Sequence, residues 1–198
     1  MDTVCRMFSG IRGLLRQEKD FRDCVLSRLP KGSVCAEIGV YQGEFSRLVL
    51  NRIKPVRFHL IDPWEYFSDP SHEKSWYGGS VGRDQANMDS IYRSVCETFG
   101  SKRNVFIHRA RSADCAHLFP DAYFDWVYVD GNHQYEFVKQ DLELYFPRVK
   151  LSGFIAGDDY GNPGWWNDGV TRAVDEFVAS HPCKTLMIEN QQFLLQKI

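Results

Sequence analysis

The 198-residue sequence contains no run approaching the roughly 18 apolar residues that a membrane span requires. Its opening segment, MDTVCRMFSGIRGLLRQEKDFRD, carries a charge every few residues and so lacks the apolar core of a secretion signal. The expectation is a cytoplasmic protein with no membrane partner. Neither sign of charge dominates: 24 Lys and Arg stand against 26 Asp and Glu, a formal net charge of −2. That balance gives no electrostatic reason to bind nucleic acid, and it favours a small-molecule partner. Cysteine is scarce, and the six at positions 5, 24, 35, 96, 115 and 183 form no C-x-x-C pair. Several lie in apolar runs where a reduced thiol packs as a small hydrophobe, which disfavours a disulfide framework or a structural zinc site. There is no internal repeat, low-complexity tract or interdomain linker. With 43% hydrophobic and 25% charged residues, the chain has the material for one compact domain with a sizeable core.

What is present is a regular alternation. Apolar residues at Val4, Met7, Phe8, Ile11, Leu14 and Leu15, then Phe21, Val25 and Leu29, recur at helical spacing until Pro30-Lys31-Gly32. Residues 1–29 therefore form a helical extension, which also offers a surface for packing across a homo-oligomer interface, and the domain proper runs over 30–198. There SVCAEIG, VRFHLID, NVFIHRA, FDWVYVD and GFIAGDD read as strands, separated by helices over 43–53, 83–99, 112–118 (short) and 134–146, with another at 167–180. Such alternation predicts an α/β fold with a parallel sheet covered by helices on both faces. CKTLMIE and QFLLQKI are joined by only a few residues around Asn190, too few for a crossover helix, so they pair as an antiparallel hairpin and reverse the sheet's last strand. The long stretch 63–82, PWEYFSDPSHEKSWYGGSVG, either packs on the domain or closes over a ligand.

Open parallel sheets bind ligands at the carboxyl ends of their strands. Here those ends carry Glu37, Asp62, the segment Ala110 to Ser112, Asp130, and Asp158 with Asp159. Any one acid could simply cap the next helix; four acidic ends out of five point to a ligand site. In EIGVYQG, Gly39 and Gly43 let the backbone approach a ligand, but the dinucleotide fingerprint G-x-G-x-x-G would need Gly where Glu37 stands. A carboxylate there repels a pyrophosphate and suits a cationic ligand. Asp62, 25 residues on, occupies the place from which an acid accepts from ribose hydroxyls. A nucleoside bearing a positive charge satisfies both. Asp130 and Asp158 end strands joined by one crossover helix, so their ends lie side by side, roughly 5 Å apart. With Asp159 they make an all-oxygen set suited to a hard cation such as Mg²⁺.

AEIGVYQGEFS, FHLIDPW and FDWVYVDGNHQYEFVKQDLELYFPRVKLSGFIAGDDY, in this order and spacing, resemble the class I S-adenosylmethionine-dependent methyltransferases over residues 30–198. The small-molecule O-methyltransferases of the catechol and macrocin type are the nearest comparisons. The resemblance implies a Rossmann-like, mostly parallel seven-stranded sheet with an antiparallel last strand. It also implies methyl transfer to a hydroxylated small molecule with the help of a divalent metal. By position, Glu37 faces the methionine amino group of S-adenosyl-L-methionine, Gly39, Tyr41 and Gly43 border the methionyl part, and Ser46 serves its carboxylate. Asp62 holds the ribose, Ser112 lies beside the adenine, and Asp130 borders the cofactor as well as the metal. Asp130, Asp158 and Asp159 bind the metal, and His133 stands where the catechol type carries its catalytic lysine.

Alternatives stand beside these assignments. His133 acts as the base or packs at a helix start, and Asp158 and Asp159 bind metal or cap backbone amides in a metal-free transferase. Asn167 or Asp168 caps a helix, while Trp165 and Trp166 line a substrate pocket or pack. A non-catalytic module that binds the cofactor is the reading from another functional class.

Overall fold

The computed structural model describes residues 22–198, so the expected helical segment from 4 to 21, with Cys5, lies outside the described residues. At its centre are the strands β1 (Val34–Ile38), β2 (Arg57–Asp62), β3 (Val105–Arg109), β4 (Phe124–Val129), β5 (Val149–Gly157), β6 (Cys183–Glu189) and β7 (Gln192–Lys197). They form one sheet in the order β3-β2-β1-β4-β5-β7-β6. β1 to β5 pair in parallel, and β7 runs antiparallel to both β5 and β6. The reversed strand and the terminal hairpin are therefore as expected from the short connection. Asn190 and Gln191 make its turn with φ of 53° and 65°, the pair of left-handed residues that a two-residue hairpin loop demands.

The helices are α1 (22–28), α2 (Glu44–Arg52), α3 (Gly79–Gly82), α4 (Gln85–Phe99), α5 (Ser112–Cys115), α6 (Tyr135–Tyr145) and α7 (Gly169–Ser180). Side chains alternate across each strand, and the core divides accordingly. On one face Cys35, Phe58, Leu60, Trp126 and Tyr128 pack with Val25, Leu26, Val49, Met88 and Phe99 from α1, α2 and α4, and with Leu29 just after α1. On the other, Ala36, Ile61, Val127 and Val129 pack with Cys115, Val138, Leu142, Ala173 and Phe177 from α5, α6 and α7. Full burial of side chains such as Val25, Leu26 and Leu29 contributes up to roughly 1.5–3 kcal/mol each, which seats α1 firmly on the sheet.

Three local features differ from expectation. β5 starts at Val149 rather than near Gly153, and its register against β4 shifts between Phe124 and Trp126. The stretch 63–82 is not wholly irregular: it contains a 3₁₀ turn at Pro70–His72 and the short α3. Asp168 does occupy the N-cap of α7, but at φ 57° its side chain makes no capping bond. Cys24, Cys35, Cys96, Cys115 and Cys183 are free thiols, and no described helix is long and apolar enough to cross a membrane.

Candidate active site

The parallel strands end on one edge, and a chain of backbone bonds carries that edge outward. Gly39 N donates to Ile61 O, Ala110 N to Asp62 O, Asp130 N to Ile38 O and Asp158 N to Val129 O, at 2.8 to 3.2 Å. The acids expected there are thereby gathered. Between β1 and α2 the chain turns through Gly39, Tyr41 and Gly43, all at positive φ. Gly39 passes so close to β4 that an added Cβ would lie 2.0 Å from the Asp130 carbonyl oxygen, which only glycine permits.

Glu37 lies inside β1 and is 1% exposed. Its Oε2 accepts from Ser46 Oγ at 2.6 Å. Burial pushes its pKa well above the ordinary carboxylate value; the Ser46 bond and the Arg22 charge pull it back, and Asp130 and Asp62 add to the rise. Ser46, expected at the methionine carboxylate, is itself fully buried and holds Glu37 instead. Asp62 is equally buried and accepts from Val40 N (2.8 Å), Tyr41 N (2.9 Å), Trp64 N (2.7 Å) and the Tyr77 hydroxyl. Burial raises its pKa, and these four donors work against that rise.

Tyr77 belongs to the long stretch after β2, which folds over this corner of the sheet. Its ring and that of Trp76 pack on Tyr41, with centroids 5.7 and 5.0 Å away. His72 of the same stretch meets Asn132 at 3.1 Å, latching it to the turn after β4. Beside Asp62, a groove of about 380 Å³ is lined by Pro63, Trp64, Glu65, Ala110 and Arg111 among others. Ser112 starts α5 next to that groove. Its Oγ donates to Asp141, a buried carboxyl of α6 whose pKa burial pushes up to about 7 against the Ser112 bond.

At the ends of β4 and β5 the acids are joined by two basic side chains. Arg22 of α1 donates from Nη2 to Asp130 Oδ2 (3.0 Å) and Asp158 Oδ2 (2.6 Å), and from Nε to Asp158 Oδ2 (3.2 Å). Its guanidinium carbon lies 5.5 Å from the Phe45 ring centroid, within cation–π range, and Phe45 stacks on Tyr128. Burial works against the guanidinium's charge, but Asp130 and Asp158 outweigh it and hold Arg22 protonated. His133 places Nε2 3.3 Å from Asp130 Oδ1 and Nδ1 3.2 Å from Asp159 Oδ2. Burial opposes its charge as well, yet Asp130, Asp159 and Asp158 together keep its pKa above the usual imidazole value. Burial raises the pKa of Asp130, and Arg22 and His133 lower it. Trp166 packs edge-on against the His133 ring at 4.7 Å, which puts this tryptophan at the site rather than only at a helix start.

The Mg²⁺ set expected from the sequence does not fit this arrangement, because N–H donors face every carboxylate oxygen in it. Asp130 faces Arg22 and His133, and Asp159 faces His133 and Asn162 Nδ2. Asp158 accepts from Arg22, from Asp159 N and from Gln192. Among the described residues, the single group of three that could converge on a metal is Asp130, His133 and Asp159, with ligand atoms within 4.8 Å of one another. It omits Asp158 and includes an imidazole, a poor partner for Mg²⁺.

Arg22, Tyr77, Asp141 and Gln192 are site residues that strand-end logic missed. Arg22 had a signal: with Val25, Leu26 and Leu29 it falls at i, i+3, i+4 and i+7, a charge on the buried face of α1. The other three had none.

A sequence family described as "Methyltransferase domain" matches residues 36–160, a span that holds all five strand-end acids and leaves out Arg22 and Gln192. An uncharacterized protein of Acanthamoeba polyphaga mimivirus is 40% identical over 55 residues, 28% of this chain and 24% of that relative, so the match spans about a quarter of the relative's length. A Staphylococcus aureus structure assigned as a caffeoyl-CoA O-methyltransferase superposes with a TM-score of 0.60 at 14% identity, covering 98% of this chain and 91% of that one. A Streptococcus mutans structure assigned as a methyltransferase, in complex with SAH, gives 0.58 at 14% identity, covering 91% of this chain and 97% of the other. At such identities the structural likeness concerns the fold.

Proposed function

The chain belongs to the methyltransferase-domain family, with the class I fold of S-adenosylmethionine-dependent methyltransferases, and on that premise we propose that it methylates a hydroxyl oxygen of a small molecule. The observation that carries the reading is the buried pair Glu37 and Asp62 at neighbouring strand ends, joined by the turn that Gly39 and Gly43 allow. Buried carboxylates need cations or donors, and S-adenosylmethionine offers an ammonium, a sulfonium and ribose hydroxyls. Both acids fit it in charge.

When bound, this cofactor supplies an electrophilic methyl group on a sulfonium centre, which leaves as a neutral thioether. Glu37, held by Ser46, would receive the ammonium, and Asp62 would receive the ribose hydroxyls in place of the Tyr77 hydroxyl. Gly39, Tyr41 and Gly43 would border the methionyl part, and Ser112, fixed by Asp141, would stand beside the adenine. The acceptor approaches past Trp166, and its hydroxyl proton passes to His133, whose imidazolium is then stabilised by Asp130 and Asp159. The overall negative cleft favours a cationic cofactor over its neutral-sulfur product.

Transfer of isotope-labelled methyl groups tests the reading. The full chain is incubated with labelled S-adenosylmethionine and a panel of phenols, diols, sugars and amines, and products are separated by mass. Label in methyl ethers of hydroxylated acceptors is expected. Label confined to N-methyl products, or none with any acceptor, contradicts it.

A further inference from the structure

The acid cluster at the ends of β4 and β5 is closed by a cation that arrives from a distant part of the chain. Arg22 is separated from Asp130 by 108 residues and from Asp158 by 136, yet its Nη2 bridges the two carboxylates. Val25 and Leu26 of α1, with Leu29 just after it, are buried in the core and fix the helix that delivers it. His133 lies between Asp130 and Asp159, with Nε2 3.3 Å from one carboxylate and Nδ1 3.2 Å from the other. Both imidazole nitrogens are thus already directed at carboxylates. A hard divalent ion would have to take oxygens already bonded to N–H groups, beside a fixed guanidinium of like charge.

We propose that Arg22 is the resident cation of this cluster in place of a divalent ion, so that α1 completes the active site and methyl transfer proceeds without metal. The guanidinium neutralises Asp130 and Asp158 and keeps Asp130 aligned with His133. The activity part of this inference rests on the methyltransferase reading; the metal-exclusion part does not.

Manganese binding, followed by the electron paramagnetic resonance signal of free Mn²⁺, separates the two. The full-length wild type is compared with Arg22→Ala, Arg22→Gln and Arg22→Lys, each checked by thermal melting. Wild type and Arg22→Lys are expected to leave the signal undiminished. Arg22→Ala and Arg22→Gln, with an uncompensated acid cluster, are expected to bind one Mn²⁺ at least about tenfold more tightly than wild type. EDTA is expected to leave wild-type transfer unchanged. One tightly bound Mn²⁺ per wild-type chain overturns the proposal even if no variant folds, and so does failure of every folded Ala or Gln variant to gain a site. Calorimetry with S-adenosylhomocysteine on the same samples reports on the methyltransferase reading alone: absence of binding there, with the Mn²⁺ pattern intact, would sink the function and leave the cation assignment standing.

Discussion

His133 shows how neighbouring charges set the working pH of a base. Burial disfavours its protonated form, and Asp130, Asp159 and Asp158 more than reverse that, so the folded pKa lies above the ordinary value of about 6.5. The base is active only when neutral, so turnover should rise with pH through a limb above that value. Asp130→Asn removes a hydrogen bond and a charge that favour the imidazolium, so the limb should move to lower pH while turnover falls. Profiles of kcat against pH at saturating cofactor check this, and a limb that stays in place removes His133 from the chemistry. At this scale the sequence was legible where position alone decides. Strand ends collect ligand-binding groups, so Glu37, Asp62, Asp130, Asp158 and Asp159 could be named in advance. Their partners could not: Gln192 reaches Asp158 across 34 residues, Arg22 across 136, and Ser46 turns to Glu37 rather than to the cleft. Hydrogen bonds of that range depend on tertiary packing and leave no local pattern.

Among the elements, periodicity located the strands and most helices, because apolar spacing reflects which face each one buries. It could not say what the stretch after β2 does, since aromatic residues in a loop have no period. In the structure that stretch folds back through the Phe67 N to Tyr77 O bond (2.8 Å) and presents the Tyr77 hydroxyl to Asp62. On the proposed reading, in which Asp62 takes the ribose hydroxyls, the Tyr77 hydroxyl competes with the cofactor. Tyr77→Phe removes that competitor while keeping the ring against Tyr41. A hydrogen bond to a charged group contributes roughly 1.5–3 kcal/mol, and its loss from the ligand-free state should tighten S-adenosylmethionine binding by about 10- to 100-fold. Fluorescence titration of the variant measures it; weaker binding would mean that Tyr77 stays with the bound cofactor as a contact.

Across the whole molecule, two apolar cores on opposite faces of one sheet leave the carboxyl edge as the place where charge concentrates. Five acids, Glu37, Asp62, Asp130, Asp158 and Asp159, and two basic side chains, Arg22 and His133, gather there. The fold class was legible because strand–helix alternation with a terminal hairpin admits few topologies. The Arg22 ion pairs were not, because three acids in sequence do not reveal which side chains the fold brings to them. The central claim is that this edge receives a cationic nucleoside through Glu37 and Asp62. Isothermal titration of S-adenosylmethionine into the full chain and into Glu37→Gln and Asp62→Asn, with thermal melts to confirm folding, tests it most directly. The account predicts one bound molecule per wild-type chain and a loss of affinity of about 10- to 100-fold in each variant. No binding to the wild type, or equal binding to all three, would contradict it.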